Sequence, residues 1–268
     1  QLAFNAVDIV VVGRFSGSES LAAVGSTTAL INVFTNLFIG ISLGANVLAA
    51  RFYAAGREKE MSETVHTAIT FAIISGVVMA LVGLFFSRGA LELMGTPDNV
   101  INLSTLYMKI YFLGMPFFML YNYGAAILRA VGDTKRPLYY LSAAGVINIG
   151  LNLLFVIVFR MSVAGVALAT VISETISASL VIRCMMKEKG SIRLTPSKLR
   201  IHPKRFAEIL RIGLPASLQG VIFAISNVII QSSVNSFGST VVAGNSAASN
   251  IEGFVYVSMN SFYQGTIS

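Results

Sequence analysis

The stretch LAFNAVDIVVVGRFSG, residues 2–17, is an apolar run that carries one acidic side chain, Asp8. Alanine, valine, isoleucine and phenylalanine surround this aspartate, and the first basic residue after it is Arg14. Insertion scales assign about 2.5–3.5 kcal/mol to a charged residue at the centre of a membrane helix. A carboxylate is therefore costly to bury here, and Asp8 indicates a function inside an apolar environment.

The rest of the 268-residue chain is apolar as well. Hydrophobic residues make up 55% of it, charged residues make up 12%, and the mean hydropathy is +0.76. A soluble domain carries about a quarter charged residues, so this composition indicates a membrane protein. The single cysteine, Cys184, argues against a disulfide framework. We expect both histidines, His66 and His202, to be solvated loop residues, because they lie in polar stretches.

Apolar runs long enough to cross a bilayer recur along the chain. About 20 mostly apolar residues cross the hydrocarbon core as a helix, and no segment alternates with period two as a barrel strand does. The sequence therefore predicts an all-α polytopic membrane protein, and we expect Pro116 to kink its fourth span. The chain begins and ends inside apolar segments, which suggests a piece of a longer protein. The eight predicted spans, the first and last incomplete, are 1–14, 28–50, 64–86, 101–128, 138–160, 164–186, 207–236 and 240–268.

The basic residues alternate between the two ends of these spans. Fifteen of the 19 Lys and Arg residues lie in the connections after the second, fourth and sixth spans or in the span ends next to them, and three lie in or next to the connections after the first, third and fifth. Cytoplasmic loops are enriched in Lys and Arg, so loops 51–63, 129–137 and 187–206 are predicted to be cytoplasmic. The net charge of +7 thus reflects membrane topology, and we expect no nucleic-acid partner. The basic linker 187–206 is expected to contact anionic lipid headgroups.

The two ends of the chain resemble each other. With a shift of 219 residues, residues 8–31 lie over residues 227–250, and both segments pass from an apolar helix through a Gly/Ser turn into a new helix. A further slip of two residues places Gly44 on Gly265. Both copies enter from the cytoplasm, which indicates parallel repeats around a cleft, a recurrent transporter architecture. The predicted units are an N-lobe (1–186), the basic linker (187–206) and the start of a C-lobe (207–268).

Polar side chains from three spans are predicted to lie at one depth. A helix rises about 1.5 Å per residue, which places Asp8 roughly 9 Å, Asn152 about 12 Å and Thr170 about 9 Å below the outer ends of their spans. Asn148 lies one turn from Asn152 on the same face, and Glu174 lies one turn from Thr170. Oxygen ligands with one carboxylate suit a hard cation such as Na⁺ or a proton.

Several segments resemble the MATE family of multidrug and toxic compound extrusion transporters. The resemblance covers nearly the whole chain and implies a twelve-span, two-lobe helical bundle of parallel six-helix repeats, of which this chain is the N-lobe plus the first hairpin of the C-lobe. It also implies export of amphiphilic, often cationic compounds against an inward H⁺ or Na⁺ gradient. The segments are NAVDIVVVGRFSGSESLAAVGSTTAL (5–30), GISLGANVLAARFYAAGR (40–57), ILRAVGDTKRPL (127–138), VAGVALATVIS (163–173) and IGLPASLQG (212–220).

The resemblance selects an overlapping set of site residues. In DinF-like and archaeal members, the N-lobe cation site uses an aspartate of span one, two polar residues of span five and a threonine of span six. These positions correspond here to Asp8, Asn148, Asn152 and Thr170. The archaeal pattern has a second aspartate where this chain has Asn152. NorM-like members place a glutamate at the position of Phe223, so the resemblance favours the DinF-like branch.

The predicted function is a cation-coupled antiporter of the cytoplasmic membrane that works by alternating access. Glu174 and Glu252 are secondary candidates for ion coupling, and each either titrates or pairs within the bundle. We expect a monomer that binds small amphiphilic or cationic substrates and membrane lipids, with no cofactor beyond the coupling ion.

Three alternatives to an antiporter would each need different features. A flippase for lipid-linked precursors would need an arginine cluster within the spans to hold phosphate. A non-transporting receptor or scaffold would not need polar residues that converge at one depth. An enzyme is not expected, because no span shows a Ser/His pair, a paired-aspartate motif or HExxH.

Overall fold

Nine α-helices follow one another in the computed structural model, which describes the backbone of residues 2–267 and the side chains of residues 7–249, 251–253, 255–256 and 258–259. No β-strand occurs within residues 2–267, and the predicted all-α polytopic fold is confirmed. The helices are α1 (Leu2–Phe15), α2 (Ser18–Ala54), α3 (Glu58–Leu93), α4 (Ile101–Leu113), α5 (Met115–Ala130), α6 (Lys135–Leu153), α7 (Ser162–Lys187), α8 (Pro203–Asn235) and α9 (Ser239–Ile267).

The helices occupy the predicted spans in order. Within the described residues, α2, α3, α7, α8 and the segment Lys135–Val158 are each long and apolar enough to cross a membrane. Helices α4 and α5 meet the same test as a bent pair. Helix α1, with 14 residues, and helix α9 correspond to the first and last predicted spans. The chain is therefore a multi-pass membrane protein.

The fourth span bends close to its proline. Helices α4 and α5 meet at Gly114 with a bend of 47°. Pro116 lies in the first turn of α5, where its missing N–H leaves no helical hydrogen bond unmade. Gly76 of α3 packs directly on the backbone of Pro116, so no side chain fits at position 76. The predicted kink of this span is confirmed.

The connections on the predicted cytoplasmic side are shorter than expected. The predicted loops 51–63 and 129–137 are wrong in extent, since only residues 55–57 and 131–134 separate the helices there. Hydropathy detects only the part of a helix that lies in hydrocarbon. The backbone hydrogen bonds continue into the charged residues beyond it, because each added residue extends an existing helix at little cost.

The linker between α7 and α8 docks on the start of α3. Thr195 N–H donates to His66 Nε2 over 3.1 Å, and His202 N–H donates to Thr67 Oγ1 over 3.1 Å. His66 Nδ1 donates to the carbonyl oxygen of Ser62 over 2.7 Å. The expectation that His66 is a solvated loop residue is wrong, because it is a buried helical residue with both ring nitrogens bonded. The polar residues next to His66 in the sequence belong to the part of α3 on which the linker docks.

Helix α2 packs against α8 along the seam between the two predicted lobes. Glycines permit this close crossing, as small residues commonly do between membrane helices. A Cβ atom on Gly44 would lie 2.7 Å from the Gly213 nitrogen, and one on Gly213 would lie 2.6 Å from Ile41 Cα. The backbones of α2 and α8 are therefore in direct contact at this level.

The hairpin turns α1–α2 and α8–α9 share one backbone conformation. Gly17 and Gly238 both adopt a φ of 87°, in the left-handed region that favours glycine. The helices that follow start at Ser18 and Ser239. Equivalent turn positions are thus about 221 residues apart, and the predicted shift of 219 is wrong across the turn. The sequence predicted the change from a shift of 219 to one of 221 within the second helix of each hairpin. In the structure, the shift of 221 already applies at the turn.

Candidate cation site and interlobe cavity

Helix α1 contacts α2, α6, α7 and α9, which gives it an interior face and an outer face. The side chain of Asp8 lies on the interior face and is 1% exposed. Val10, two residues later, is 65% exposed. The carboxylate is therefore placed inside the helix bundle, among α6 and α7, rather than towards lipid.

Four side chains from three helices form one hydrogen-bonded group around this carboxylate. Asn152 Nδ2 donates to Asp8 Oδ1 over 2.7 Å, and Thr170 Oγ1 donates to Asp8 Oδ2 over 3.1 Å. Asn152 Nδ2 also donates to Asn148 Oδ1 over 3.0 Å, and Asn148 Nδ2 donates to Thr170 Oγ1 over 3.4 Å. All four side chains are buried. The structure brings together the four residues that the sequence placed at neighbouring depths.

One oxygen in this group has no partner. Asn152 Oδ1 is buried and accepts no hydrogen bond from the described residues, although buried polar atoms are nearly always bonded. The group as a whole carries carboxylate, amide and hydroxyl oxygens, from Asp8, Asn148, Asn152 and Thr170. Carboxylate, amide and hydroxyl oxygens suit a hard cation such as Na⁺. A protonated Asp8 carries an O–H donor, and Asn152 Oδ1 is an acceptor available to such a donor in the same group.

Helix α6 departs from α-helical geometry directly after Asn152. Residues Leu154–Val158 form a π-helical turn, and Arg160 and Ser162 beyond it have positive φ angles of 53° and 49°. Such angles are uncommon for residues other than glycine, and π-helical turns are frequent at functional sites. Sequence reasoning missed this feature, since residues 154–162 contain no glycine or proline to signal it.

The two secondary acids lie outside the group. Glu174 is buried one turn along α7 from Thr170, and its Oε2 accepts a hydrogen bond from Ser177 Oγ over 3.4 Å. Glu252 lies on α9 with an exposed side chain. Neither carboxylate shares a hydrogen-bond partner with Asp8 among the described residues.

A cavity of about 450 Å³ lies between the hairpin α1–α2 and the hairpin α8–α9. Ile9, the neighbour of Asp8 in α1, forms part of its wall. Glu252 is its one charged lining residue within the described part of the chain, and no Lys or Arg lines it there. The other polar lining residues are uncharged, among them Thr28, Asn32, Asn227, Gln231, Asn245 and Ser249.

Comparisons with known proteins agree with this architecture. The family model MatE matches residues 1–154. The probable multidrug resistance protein YoeA of Bacillus subtilis (strain 168) is 34% identical over 257 residues, which make up 93% of this chain and 55% of that protein. The FAD transporter of Shewanella oneidensis is 24% identical over 265 residues, or 96% of this chain and 57% of that protein.

Solved structures give the same result for the fold. The structure of the MATE multidrug transporter DinF-BH, which was solved in complex with a ligand, matches with a TM-score of 0.87 and 25% identity, over 95% of this chain and 57% of that chain. This chain spans about half the length of the curated relatives it matches. The family model covers more than half of the chain, and the helical architecture agrees with it. The chain therefore belongs to the MatE family, the multidrug and toxic compound extrusion transporters.

Proposed function

We propose that the whole protein is a cation-coupled antiporter of the cytoplasmic membrane, of the DinF-like branch, which exports amphiphilic, often cationic compounds. One observation carries this proposal. The buried carboxylate of Asp8 is held by Asn152 and Thr170 beside an unpartnered amide oxygen. An ionisable residue inside the membrane marks an ion pathway by default, because burying it otherwise destabilises the protein.

Binding of H⁺ or Na⁺ changes the hydrogen bonds that Asp8 can make. As a carboxylate, Asp8 accepts hydrogen bonds from Asn152 and Thr170. As an acid it also donates, and Asn152 Oδ1 is an unpartnered acceptor in the same group. A sodium ion would instead be bound by the oxygens of Asp8, Asn148, Asn152 and Thr170. Either event removes a negative charge from the N-lobe and rearranges α1 against α6 and α7.

Helix α1 connects this group to the cavity between the hairpins. Asp8 contacts α6 and α7, and the adjacent Ile9 lines the cavity. A movement of α1 that follows ion binding therefore changes the cavity wall. Alternating access needs the ion and the substrate to stabilise different conformations, and a shared helix supplies a physical connection for this effect.

The charge of the cavity favours a cationic substrate. Glu252 contributes a carboxylate, and the described lining residues include no Lys or Arg. The relative named as an FAD transporter suggests an anionic substrate class, and a lipid-linked precursor would also carry phosphate. Both would need guanidinium or ammonium groups in the cavity for strong binding. We therefore rank anionic substrates, including the lipid-linked precursors of a flippase, below cationic substrates.

The substitution Asp8→Asn in the full-length protein tests the proposal. In proteoliposomes with an imposed pH or Na⁺ gradient, we expect wild-type protein to export a fluorescent cationic dye and Asp8→Asn to lose most of this gradient-driven export. Asp98→Asn, an exposed residue of the α3–α4 connection, is the matched control. Export at the wild-type rate by Asp8→Asn would overturn the coupling role. No gradient-driven export by the wild type would favour a receptor or scaffold.

A further inference from the structure

A second cavity, of about 460 Å³, lies at the predicted cytoplasmic end of the seam between α2 and α8. It is separate from the group around Asp8 and from the cavity that holds Glu252. Its polar wall is strongly basic, with a single carboxylate, Glu208, among the described lining residues. The basic residues come from both predicted lobes and are Arg51, Arg57, Lys204, Arg205 and Arg211.

Two of these five cations are neutralised within the protein. Arg205 is buried and pairs with Glu63 over 3.1 Å and with Glu208. Arg57 pairs with Glu60 at the start of α3. The pair of Arg205 with Glu63 joins the start of α8 to the start of α3 and so holds this part of the cavity wall in place.

The other three cations have no such partner. Arg51, Lys204 and Arg211 are exposed and form no ion pair with a carboxylate of the described residues. Arg51 lies in the last turn of α2, Lys204 lies in the first turn of α8, and Arg211 lies about two turns further along α8. The positive end of the α8 dipole adds to the positive potential that these side chains produce in the cavity. Cations gathered around one cavity repel one another unless an anion joins them.

The remaining wall of the cavity is apolar. Leu48 and Phe52 of α2 are buried, and Ile212 of α8 is partly buried. Next to them, Val47 and Leu214 are 44% and 40% exposed, so apolar surface continues from the cavity along both helices. A free phosphate ion gains nothing from such a surface, whereas the glycerol and acyl groups of a phospholipid do.

We propose that this cavity binds the phosphate headgroup of an anionic phospholipid, with its acyl chains along α2 and α8. Basic pockets between membrane helices on the cytoplasmic side are suited to such headgroups. The bound headgroup would contact Arg51 on one side of the seam and Lys204 and Arg211 on the other. It would therefore hold the two lobes together close to the level where Gly44 and Gly213 bring the backbones into contact.

The double substitution Arg51→Gln with Arg211→Gln in the full-length protein tests this site. Dihexanoyl phosphatidylglycerol is titrated onto the detergent-purified protein, and its affinity is read from the shift in unfolding temperature and from native mass spectrometry. Each cation near an anionic headgroup contributes about fivefold, so we expect roughly 25-fold weaker binding. Both residues are exposed and pair with no carboxylate that the structure describes, so the unfolding temperature without lipid should stay at the wild-type value.

The matched control is Lys189→Gln with Arg193→Gln. It removes the same charge from exposed linker positions outside the cavity and should bind the lipid as the wild type does. If the control loses as much affinity as the cavity variant, general attraction to the basic linker explains binding. The assignment of the lipid site to this cavity would then be wrong. Equal protection by inorganic phosphate, or equal affinity for dihexanoyl phosphatidylcholine, would overturn the assignment to an anionic phospholipid.

Discussion

Asn152 of α6 donates its amide N–H to Asp8 of α1 over 2.7 Å, although 144 residues separate the two in the chain. The same amide group bonds Asn148, and its own Oδ1 has no partner in the described part of the chain. The contact therefore joins two helices through a carboxylate whose hydrogen bonds depend on its protonation or ion binding.

Asn152→Ala should weaken ion coupling more than it weakens the fold. Asn152 makes one hydrogen bond to another helix, to Asp8 of α1. Hydrogen bonds between membrane helices contribute about 0.6 kcal/mol each on average, so its loss should destabilise the fold by less than about 1 kcal/mol. The loss of an amide oxygen from the ion site should raise the Na⁺ or H⁺ concentration needed for half-maximal dye export. The measurement is export from proteoliposomes at a series of ion concentrations.

The control for this substitution is Asn122→Ala in α5. Asn122 bonds only the carbonyl oxygen of Phe118 in its own helix within the described residues. It should keep the ion dependence of the wild type. A shift of the same size in both variants would mean that Asn152 has a structural role alone.

Thr170 can be tested through its hydroxyl group. Thr170→Val removes the donor to Asp8 Oδ2 while it keeps the shape of the side chain, and Thr170→Ser keeps the donor. We expect the valine variant to lose gradient-driven export and the serine variant to retain most of it. If both variants export alike, the hydrogen bond from Thr170 plays no part in coupling.

Gly44→Ala should destabilise the contact between the lobes. The added Cβ would meet the carbonyl oxygen of Ile209 and the nitrogen of Gly213, both backbone atoms that move only with the helix. Overpacking of this kind costs about 1–3 kcal/mol, and thermal unfolding of the purified protein should report a lower unfolding temperature.

Gly89→Ala is the matched substitution for this test. No atom of the described residues lies within 4 Å of a Cβ atom at position 89, which is inside α3. Alanine is a better helix former than glycine by about 1 kcal/mol, so this variant should be as stable as the wild type or more so. An unchanged unfolding temperature for Gly44→Ala would show that the seam is not closely packed in solution.

His66→Phe should release the linker from α3. The phenyl ring cannot accept the N–H of Thr195, so that half-buried donor loses its partner. Lys189 and Arg193 are exposed linker residues, and limited digestion with trypsin should cleave there faster than in the wild type.

His202→Gln provides the control for the linker. His202 bonds Thr67 through its backbone N–H, which the substitution keeps. Burial, followed by the charge of Arg200, lowers the pKa of His202, so its ring is neutral at neutral pH and its replacement removes no charge. Cleavage should stay at the wild-type rate. Equal cleavage of His66→Phe and wild type would contradict the docking contact.

Sequence reasoning succeeded where one physical property repeats along the chain. Apolar runs are separated by basic and Gly-containing connections, and this pattern predicted the spans. The proline at position 116 predicted the kink of the fourth span. Span depth followed from the constant rise of a helix, which placed Asp8, Asn152 and Thr170 near one level. The sequence did not predict where the helices end at loops 51–63 and 129–137. Hydropathy carries no information on where the backbone hydrogen bonds of a helix stop.

The sequence by itself thus determined that the chain is a helical membrane protein and that Asp8 needs polar partners, because the free energy of burying a charge depends on local composition. Only the tertiary structure decided which side chains surround Asp8, that one oxygen of Asn152 has no partner among the described residues, and that His66 is buried under the linker. It also brought Arg51 and Arg211 to one cavity. These features depend on the packing of segments more than a hundred residues apart, and a local pattern does not encode such distances.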